Sequence, residues 1–402
     1  MDFLGGKKMN PLNLSAEKDF FPLETLPNVH FARWIVVPSK NPQGTKTYGC
    51  SLVYAANLDG DTTAHLQQLA TQLSSGLDQI LDFCEGYPAP ADRNESTRMA
   101  YLKKYTIKTP GFYVGAPNRS VEQIKNEQKL HLDLQAFIKT NGSQWTTEKE
   151  AYQAIRKYVD DNSEYDWARE HYKLPKINWF MMILLVVGLL IFLPVLLLWT
   201  LLIHFFYELR AKPFGFTVNQ VDENALRSLK EEEDIIYQNQ LSQVFETKTG
   251  LRRLWLHFSL WFASYLAKYF AVGGQLLGTP TIHFARWVLI DGGKRFVFFS
   301  NFDGSFDEYL GDFVDHSGWG LNAIYGASIG YPRTFMIFGG GAYKILEFMG
   351  WGRYTQVHSQ LWYSAYPWLG LQQIVANSEL RTELFNSGTL NDKQIHDLLR
   401  KI

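Results

Sequence analysis

The sequence predicts an α+β fold in which two similar domains, each built on an antiparallel sheet, flank a membrane-embedded helical segment. Three observations support this expectation: a motif that occurs twice, strand and helix patterns that interleave in each half, and one long uncharged apolar run between the halves. The 402 residues suffice for two or three domains. The expected units are an N-terminal extension over residues 1–27, domains over 28–175 and 276–402, a membrane segment over 176–212 and a linker over 213–275.

The composition narrows the functional class. Lys and Arg total 39 and Asp and Glu total 40, so the net charge of −1 argues against a nucleic-acid-binding protein. Aromatic residues at 15% and charged residues at 20% are typical of a folded chain rather than a disordered one. The two cysteines, Cys50 and Cys84, are too few for a disulfide framework, which favours a reducing compartment.

The repeat rests on two motifs. Residues 28–37 (NVHFARWIVV) return as residues 281–290 (TIHFARWVLI), and NLDG at residues 57–60 is answered by NFDG at residues 301–304. The first copy has nine more residues between its two motifs, in the Pro/Gly-rich turn SKNPQGTKTYG, where insertions are tolerated. We expect two copies of one domain that pack together as a pseudo-dimer on one side of the membrane.

Local patterns predict the elements of each copy. Residues 283–290 and 296–302 flank the turn DGG, which indicates a β-hairpin. Ser305 and Glu308 form a predicted capping box for a helix through about residue 314, and Asp61 opens a helix towards Leu81. The other expected elements are strands at 112–114, 333–338 and 360–366 and a helix after Gly341. Hairpins imply antiparallel sheets with helices on one face, and the aromatic segment 362–367 is expected to pack against the other domain.

The uncharged apolar run covers residues 179–206. Its 28 residues exceed the roughly 18 that indicate a transmembrane helix. Pro194 near its middle leaves two alternatives, a tilted and kinked crossing or a re-entrant hairpin. Basic residues on both flanks, namely Arg169, Lys173, Lys176, Arg210 and Lys212, and the expected pseudo-dimer favour the hairpin, with both domains facing the cytoplasm.

Two further segments lie between the run and the second domain. Residues 251–271 predict an aromatic helix that lies either in the headgroup zone or in the core over the sheet. The acidic residues 231–234 predict a solvated helix face.

The recurring histidines and arginines are the first candidate site residues. His30 and His283 are interpreted either as buried, hydrogen-bonded residues or as axial ligands of a haem or a metal. Because strand side chains alternate, His283 is expected on the face of Ala285 and opposite Arg286.

The recurring aspartates, Asp59 and Asp303, precede helix starts. They are interpreted either as turn residues that complement the helix dipole or as acid/base groups beside Arg33 and Arg286 at a peroxide-cleaving site. The glycines at 339–341 predict a tight turn or an anion-binding loop.

The motifs HFARW, SNFDGSFDEYLGDFVD, YPRT and LWYSAYP resemble a bacterial membrane-associated family that is related to, or found with, dye-decolourising-type haem peroxidases. The resemblance covers residues from roughly 236 to 376 and implies duplicated ferredoxin-like α+β domains. Of the GxxDG haem-pocket signature, Phe302-Asp303-Gly304 matches only the DG ending.

The sequence therefore leaves two functional classes open. One is a membrane-anchored protein that binds membrane lipid, an apolar ligand or a protein partner such as a haem peroxidase, with homo-oligomerisation open. The other is a haem-dependent peroxidase-like enzyme with His283 or His30 as the haem ligand and Asp303 and Arg286 as the distal groups.

Overall fold

The structure is a computed structural model that describes residues 20–40, 46–170, 176–215, 217–270, 278–385, 388 and 390–402. Several sequence expectations fall outside these residues: most of the 1–27 extension, residues 41–45 of the Pro/Gly-rich turn, the flanking Lys173 and residues 271–275 of the linker.

The described chain alternates between strands and helices. The strands are β1 Val29–Val37, β2 Ser51–Leu58, β3 Gly111–Val114, β4 Gln238–Glu246, β5 Ile282–Ile290, β6 Arg295–Asp303, β7 Thr334–Phe335, β8 Gly339–Gly340 and β9 Ser359–Ser364. The α-helices are α1 Thr62–Thr71, α2 Ser74–Leu81, α3 Glu95–Tyr105, α4 Val121–Asn141, α5 Glu148–Asp160, α6 Trp179–Ile203, α7 Glu223–Lys230, α8 Leu251–Tyr269, α9 Phe306–Tyr325, α10 Ile345–Thr355, α11 Leu371–Leu384 and α12 Asp392–Leu399.

The named strands form three sheets in which every pairing is antiparallel, so the α+β class is confirmed. One sheet has the order β2-β1-β9, a second has the order β3-β5-β6-β4, and β7 and β8 form a small hairpin. Each HFARW motif lies on the first strand of a hairpin, β1 in the first half and β5 in the second. Both are interior strands of their sheets.

The two halves exchange strands. β3 from the first half pairs with β5, with Phe112 opposite Arg286, whereas β9 from the second half pairs with β1, with Trp362 opposite Arg33. Each of these two sheets therefore contains one strand from the other half of the chain. The expected packing of segment 362–367 against the other half is confirmed, because residues 362–364 belong to β9 and pair with β1.

Apolar side chains fill the space between the two sheets and the spaces between sheets and helices. The cluster between the sheets contains Ile35, Val37, Val244, Ile290, Val297 and Phe299. On the outer side of the first sheet, Trp34 packs with Leu69 and Leu77 of α1 and α2. On the outer side of the second sheet, Trp287 packs with Leu260 of α8 and Tyr325 of α9. Side chains at alternating positions of β1 and β5 therefore pack either between the two sheets or on the outer side of their own sheet.

The apolar run forms one continuous helix rather than a re-entrant hairpin, so the preferred alternative is wrong. α6 begins after Asn178, whose side chain accepts from the Met181 backbone N–H, and it continues through Pro194 to Ile203, followed by a π-helical turn over His204–Glu208. A proline removes one backbone hydrogen bond, whereas reversing the chain would remove several. The span Trp179–Glu208 is long and apolar enough to cross a membrane, and its most apolar 18-residue window has a mean hydropathy of 3.1.

Several predicted boundaries need correction. The capping box of Ser305 and Glu308 is present, and its helix runs to a kink at the non-helical Ser317, beyond which a further helical stretch packs on the core as far as Tyr325. Residues 61–81 form two helices, since the helix is interrupted at Leu73. Of residues 333–338 only Thr334 and Phe335 are a strand. Residues 231–234 are not a helix face, since α7 ends before them.

Candidate functional site

The two sheets face each other through the HFARW strands, and the candidate residues lie at this interface. Phe31 and Phe284 meet across it with ring centroids 5.6 Å apart. Asn301 donates through Nδ2 to Asn57 Oδ1 at 3.2 Å, and Asn57 and Asn301 hold the same place in the two NxDG motifs. Corresponding residues therefore contact each other at the centre of the interface.

Arg33 crosses from the first sheet to the second. Its guanidinium donates through Nη1 to Leu241 O at 2.9 Å and through Nη2 to Ser300 O at 2.8 Å, and it also contacts Asn301 Oδ1. The side chain is buried. Burial, and secondarily the charge of Arg286, lowers the pKa of Arg33 to about 9. Its donors bind carbonyl groups of the other sheet, so its role in the structure is to join the two sheets.

Arg286 crosses in the opposite direction. It donates through Nη2 to Ala56 O at 2.8 Å, and its guanidinium lies 5.0 Å from the ring centroid of Phe112. Ala56 precedes NLDG as Ser300 precedes NFDG, so the two arginines make corresponding contacts. Burial lowers the pKa of Arg286 to about 10. The Nε atom of Arg286 is buried without a hydrogen-bond partner.

His30 and Asp59 form the first of two similar pairs. His30 Nε2 lies 2.8 Å from Asp59 Oδ1, and His30 Nδ1 lies 2.8 Å from the Tyr366 hydroxyl. A carboxylate only accepts, so in the neutral ring Nε2–H donates to Asp59 and Nδ1 accepts from Tyr366. The second oxygen of Asp59 accepts from the Val121 backbone N–H at 2.8 Å, at the first turn of α4. Asp59 thus satisfies a helix N-terminal donor and complements its dipole.

His283 and Asp303 repeat this arrangement in the second half. His283 Nε2 donates to Asp303 Oδ1 at 2.7 Å, and Asp303 Oδ2 accepts from the Leu371 backbone N–H at 2.7 Å, at the first turn of α11. This pair is more deeply buried, because the side chain of Asp303 is 4% exposed and that of Asp59 is 30% exposed.

The backbones of the two histidines bind the exchanged strands. His283 O accepts from Gly115 N at 2.7 Å, and His30 O accepts from Ala365 N at 2.9 Å. Each histidine therefore holds the end of a strand from the other half, while its aspartate holds a helix of its own half. The His–Asp pairs join the strand exchange to the helices that follow it.

One hydroxyl distinguishes the two pairs. The segments GFYVGAP at 111–117 and LWYSAYP at 361–367 place Ala116 where Tyr366 stands, so the methyl of Ala116 gives His283 no counterpart of the Tyr366 hydroxyl. Burial, and then the carboxylates of Asp59 and Asp303, raises the pKa of Tyr366 well above its ordinary value. Tyr366 therefore stays a neutral phenol. Sequence analysis missed this residue as a site residue.

The expected alternation of His283 and Arg286 is wrong. The strand register shifts between Ile282 and Phe284, and a matching shift lies between Val29 and Phe31. A β-bulge places two successive side chains on one side of a strand. His283 therefore contacts Phe31 of the other sheet, with centroids 5.4 Å apart, instead of lying in the outer core with Ala285. The interpretation of the histidines as buried, hydrogen-bonded residues agrees with these contacts.

The site residues do not fit a haem. Both ring nitrogens of His30 have side-chain partners, and His283, whose Nε2 binds Asp303, is buried against the Phe31 ring, so neither imidazole faces an open space that could hold a haem. The Asp303 carboxylate is fully engaged by His283 and Leu371, so it does not point at a position where a peroxide could bind. Among the described residues, no group of three or more His, Cys, Asp or Glu side chains could hold a metal ion.

The glycines at 339–341 form a tight junction between β8 and a 3₁₀-helix over Gly341–Tyr343. Gly341 N donates to Arg333 O at 2.9 Å, and Ala342 N donates to Asn322 Oδ1 at 2.7 Å. These N–H groups bind protein oxygens, which matches the tight-turn interpretation rather than an anion site.

The acidic segment 231–234 instead contributes a buried ion pair. Glu233 accepts from Arg353 Nη1 at 2.6 Å, and both side chains are almost fully buried. The expected solvated helix face is wrong, because α7 ends at Lys230 and the chain turns inward to reach Arg353.

A second candidate site is the surface around α6. Its most apolar 18-residue window has no buried residue, so α6 is not the core helix of a folded domain. α8 lies beside α6. Leu256 and Leu260 are in the core, as the core alternative for residues 251–271 predicts, while Leu254 and Trp261 are more than half exposed. Phe335 of β7 and Phe338 of the loop that follows it add two more exposed rings.

Comparison of the chain with models of protein families, with curated proteins and with solved structures finds no match.

Proposed function

We propose that the protein is a membrane-attached binding module rather than an enzyme, with membrane lipid as the ligand of its apolar helix. The observation that carries the proposal is that the most apolar 18-residue window of α6 has a mean hydropathy of 3.1 and contains no buried residue. Burying one exposed leucine in hydrocarbon is worth about 2 kcal/mol, and α6 exposes many such side chains. Lipid removes this surface from water more completely than a small ligand could.

The body attached to this helix is proposed to be a ferredoxin-like pseudo-dimer that arose by duplication. Paired contacts support this proposal, among them Arg33 to Ser300 O and Arg286 to Ala56 O, and the exchange of β3 and β9. The body is proposed to face the cytoplasm, which agrees with the free thiols of Cys50 and Cys84. A protein partner, such as a haem peroxidase, remains a proposal for the surface of this body.

Membrane fractionation of the full chain tests the proposed function. We expect the protein in the membrane fraction after washing with high salt and alkaline carbonate, and we expect purified protein to float with liposomes. Leu190→Lys together with Phe192→Lys should lower flotation more than tenfold, because two apolar side chains, each worth about 2 kcal/mol in hydrocarbon, are replaced by charged ones. The matched control is Ile107→Lys, which alters a side chain of similar exposure outside α6. A native chain that is soluble and monodisperse without detergent contradicts the proposal.

The peroxidase alternative has its own test. Purified protein loaded with haem should show no Soret shift that depends on His283 or His30, since both side chains are buried and each binds an aspartate through Nε2. A Soret band that is lost in His283→Ala would favour the enzyme instead.

A further inference from the structure

We propose that α6 does not cross the bilayer but lies along its surface within one leaflet, so that both of its ends stay on the side of the body. This inference rests on the proposed membrane attachment and adds its geometry. It concerns how α6 is held by α8 and by the body.

α6 and α8 run antiparallel and touch near both ends. Asn178 N donates to Tyr269 O at 3.1 Å, and the Tyr265 hydroxyl donates to Met181 O at 2.9 Å. At the other end, Trp199 Nε1 donates to Leu251 O at 3.2 Å. Met181 and Trp199 are 18 residues apart, which is about 27 Å along a helix. Contact with α8 therefore extends over nearly the thickness of a hydrocarbon core, which is about 30 Å.

α8 is itself fixed to the body along its length. Leu256 and Leu260 are fully buried in the core of the second half, and Ser264 Oγ donates to Pro110 O at 2.8 Å beside β3. If α6 crossed the bilayer, α8 and the sheet beneath it would enter the hydrocarbon too. The exposed His257 of α8, and the polar body to which Ser264 is hydrogen-bonded, would then lie at membrane depth, which is costly. Placing α6 parallel to the surface avoids this cost.

The end of α6 holds a second apolar element in place. Glu208, in the π-helical turn, is buried, and its Oε1 accepts from Thr334 Oγ1 at 2.7 Å and from Ile337 N at 2.8 Å. These bonds fix the β7–β8 hairpin, which exposes Phe335 by 63% and Phe338 by 42%.

The turn of this hairpin is strained. Met336 has φ 49° and Ile337 has φ 69°, and positive φ is costly for a β-branched residue. This strained turn directs Phe335 and Phe338 outward beside the end of α6. Two rings at such a position suit insertion at the level of the headgroups.

The charge distribution marks the same side of the molecule. Segments 176–215, 247–270 and 316–346 contain α6, α8 and the β7–β8 hairpin. They carry nine Lys and Arg residues, of which Arg252 is buried, and one acidic residue, the buried Glu208. The rest of the chain carries 30 basic and 39 acidic residues. Basic residues stand at both ends of α6, with Lys176 before it and Arg210 and Lys212 after it. Both ends therefore suit one anionic leaflet surface.

Cysteine labelling in inside-out bacterial membrane vesicles tests the topology. Lys176→Cys and Lys212→Cys are made separately in a Cys50→Ser, Cys84→Ser background, and a Cys84→Ser chain with its exposed Cys50 reports the side of the body. We expect a membrane-impermeant maleimide to label all three proteins to the same extent before and after detergent. A helix that crosses would leave one of its ends unlabelled until detergent is added.

Depth measurement gives a second test that does not depend on sidedness. Bimane is placed on Leu184→Cys, Leu190→Cys and Leu198→Cys in the same cysteine-free background, in liposomes with shallow or deep nitroxide lipids. We expect one ratio of deep to shallow quenching at all three sites, whereas a crossing helix would make position 190 much deeper than the others. Bimane at Phe335→Cys should be quenched by the shallow probe, and bimane at the control Phe83→Cys should not.

The outcomes separate the two proposals. Loss of flotation with liposomes overturns membrane attachment and this inference together. Retained flotation with one protected end, or with position 190 deepest, overturns the in-plane helix alone.

Discussion

Replacing Asp303 by alanine removes a carboxylate that accepts two hydrogen bonds in a nearly dry environment. His283 Nε2 and Leu371 N would each lose a partner at 2.7 Å. A hydrogen bond to a charged group is worth about 1.5–3 kcal/mol, so Asp303→Ala should lower the free energy of unfolding by about 3–5 kcal/mol. Asp303→Asn keeps the shape and one acceptor oxygen, and it should cost about 1–2 kcal/mol.

Asp59→Ala is the matched comparison, because Asp59 makes the corresponding bonds to His30 and Val121 N. Its side chain is 30% exposed, so water can replace the carboxylate, and the cost should be about 1–2 kcal/mol. Urea unfolding in detergent, followed by tryptophan fluorescence, measures both values. A loss at Asp59 equal to or greater than that at Asp303, or a loss below about 1 kcal/mol at Asp303, would refute the reasoning that burial sets the value of these pairs.

Three other substitutions test neighbouring features. Burial lowers the pKa of His65 to about 4 from 6.5 in the unfolded chain, so the unfolded state binds more protons between these values and stability should fall by up to about 3 kcal/mol as pH drops from 6.5 to 4. His65→Phe should flatten that part of the pH profile, and an unchanged difference between pH 6.5 and pH 4 would contradict the shift. Gly115→Ala should lower the free energy of unfolding in urea by at least about 2 kcal/mol, because a Cβ there would meet Ile282 O at 2.2 Å. An unchanged free energy of unfolding would show that the contact between Gly115 and β5 is loose. Tyr366→Phe leaves His30 Nδ1 without its partner and should cost about 1–2 kcal/mol by the same measurement, with no loss arguing against this hydrogen bond.

Local sequence patterns predicted the elements that depend on neighbouring residues. The hairpin of β5 and β6, the capping box at Ser305 and the short strand β3 follow from propensities and turn chemistry within a few residues. The apolar run was equally plain, since its length and lack of charge need no partner to be recognised. The HFARW and NxDG motifs also identified the residues that meet at the interface between the sheets.

The partners of those residues were not predictable in the same way. A one-residue bulge at each histidine reverses the face that strict alternation assigns, and it depends on register with a second strand. The Tyr366 hydroxyl reaches His30 across 336 positions of sequence, which no local pattern encodes.

The chain by itself determined that an apolar helix lies between two segments that share the HFARW and NxDG motifs and contain both strands and helices, because hydropathy and short-range propensity are properties of neighbouring residues. Only the tertiary structure decided that these segments exchange strands, that the His–Asp pairs bind helix N-termini, and that α6 lies along α8. Each of these depends on contacts between distant residues, where burial and hydrogen-bond geometry select one arrangement among several that the same local patterns allow.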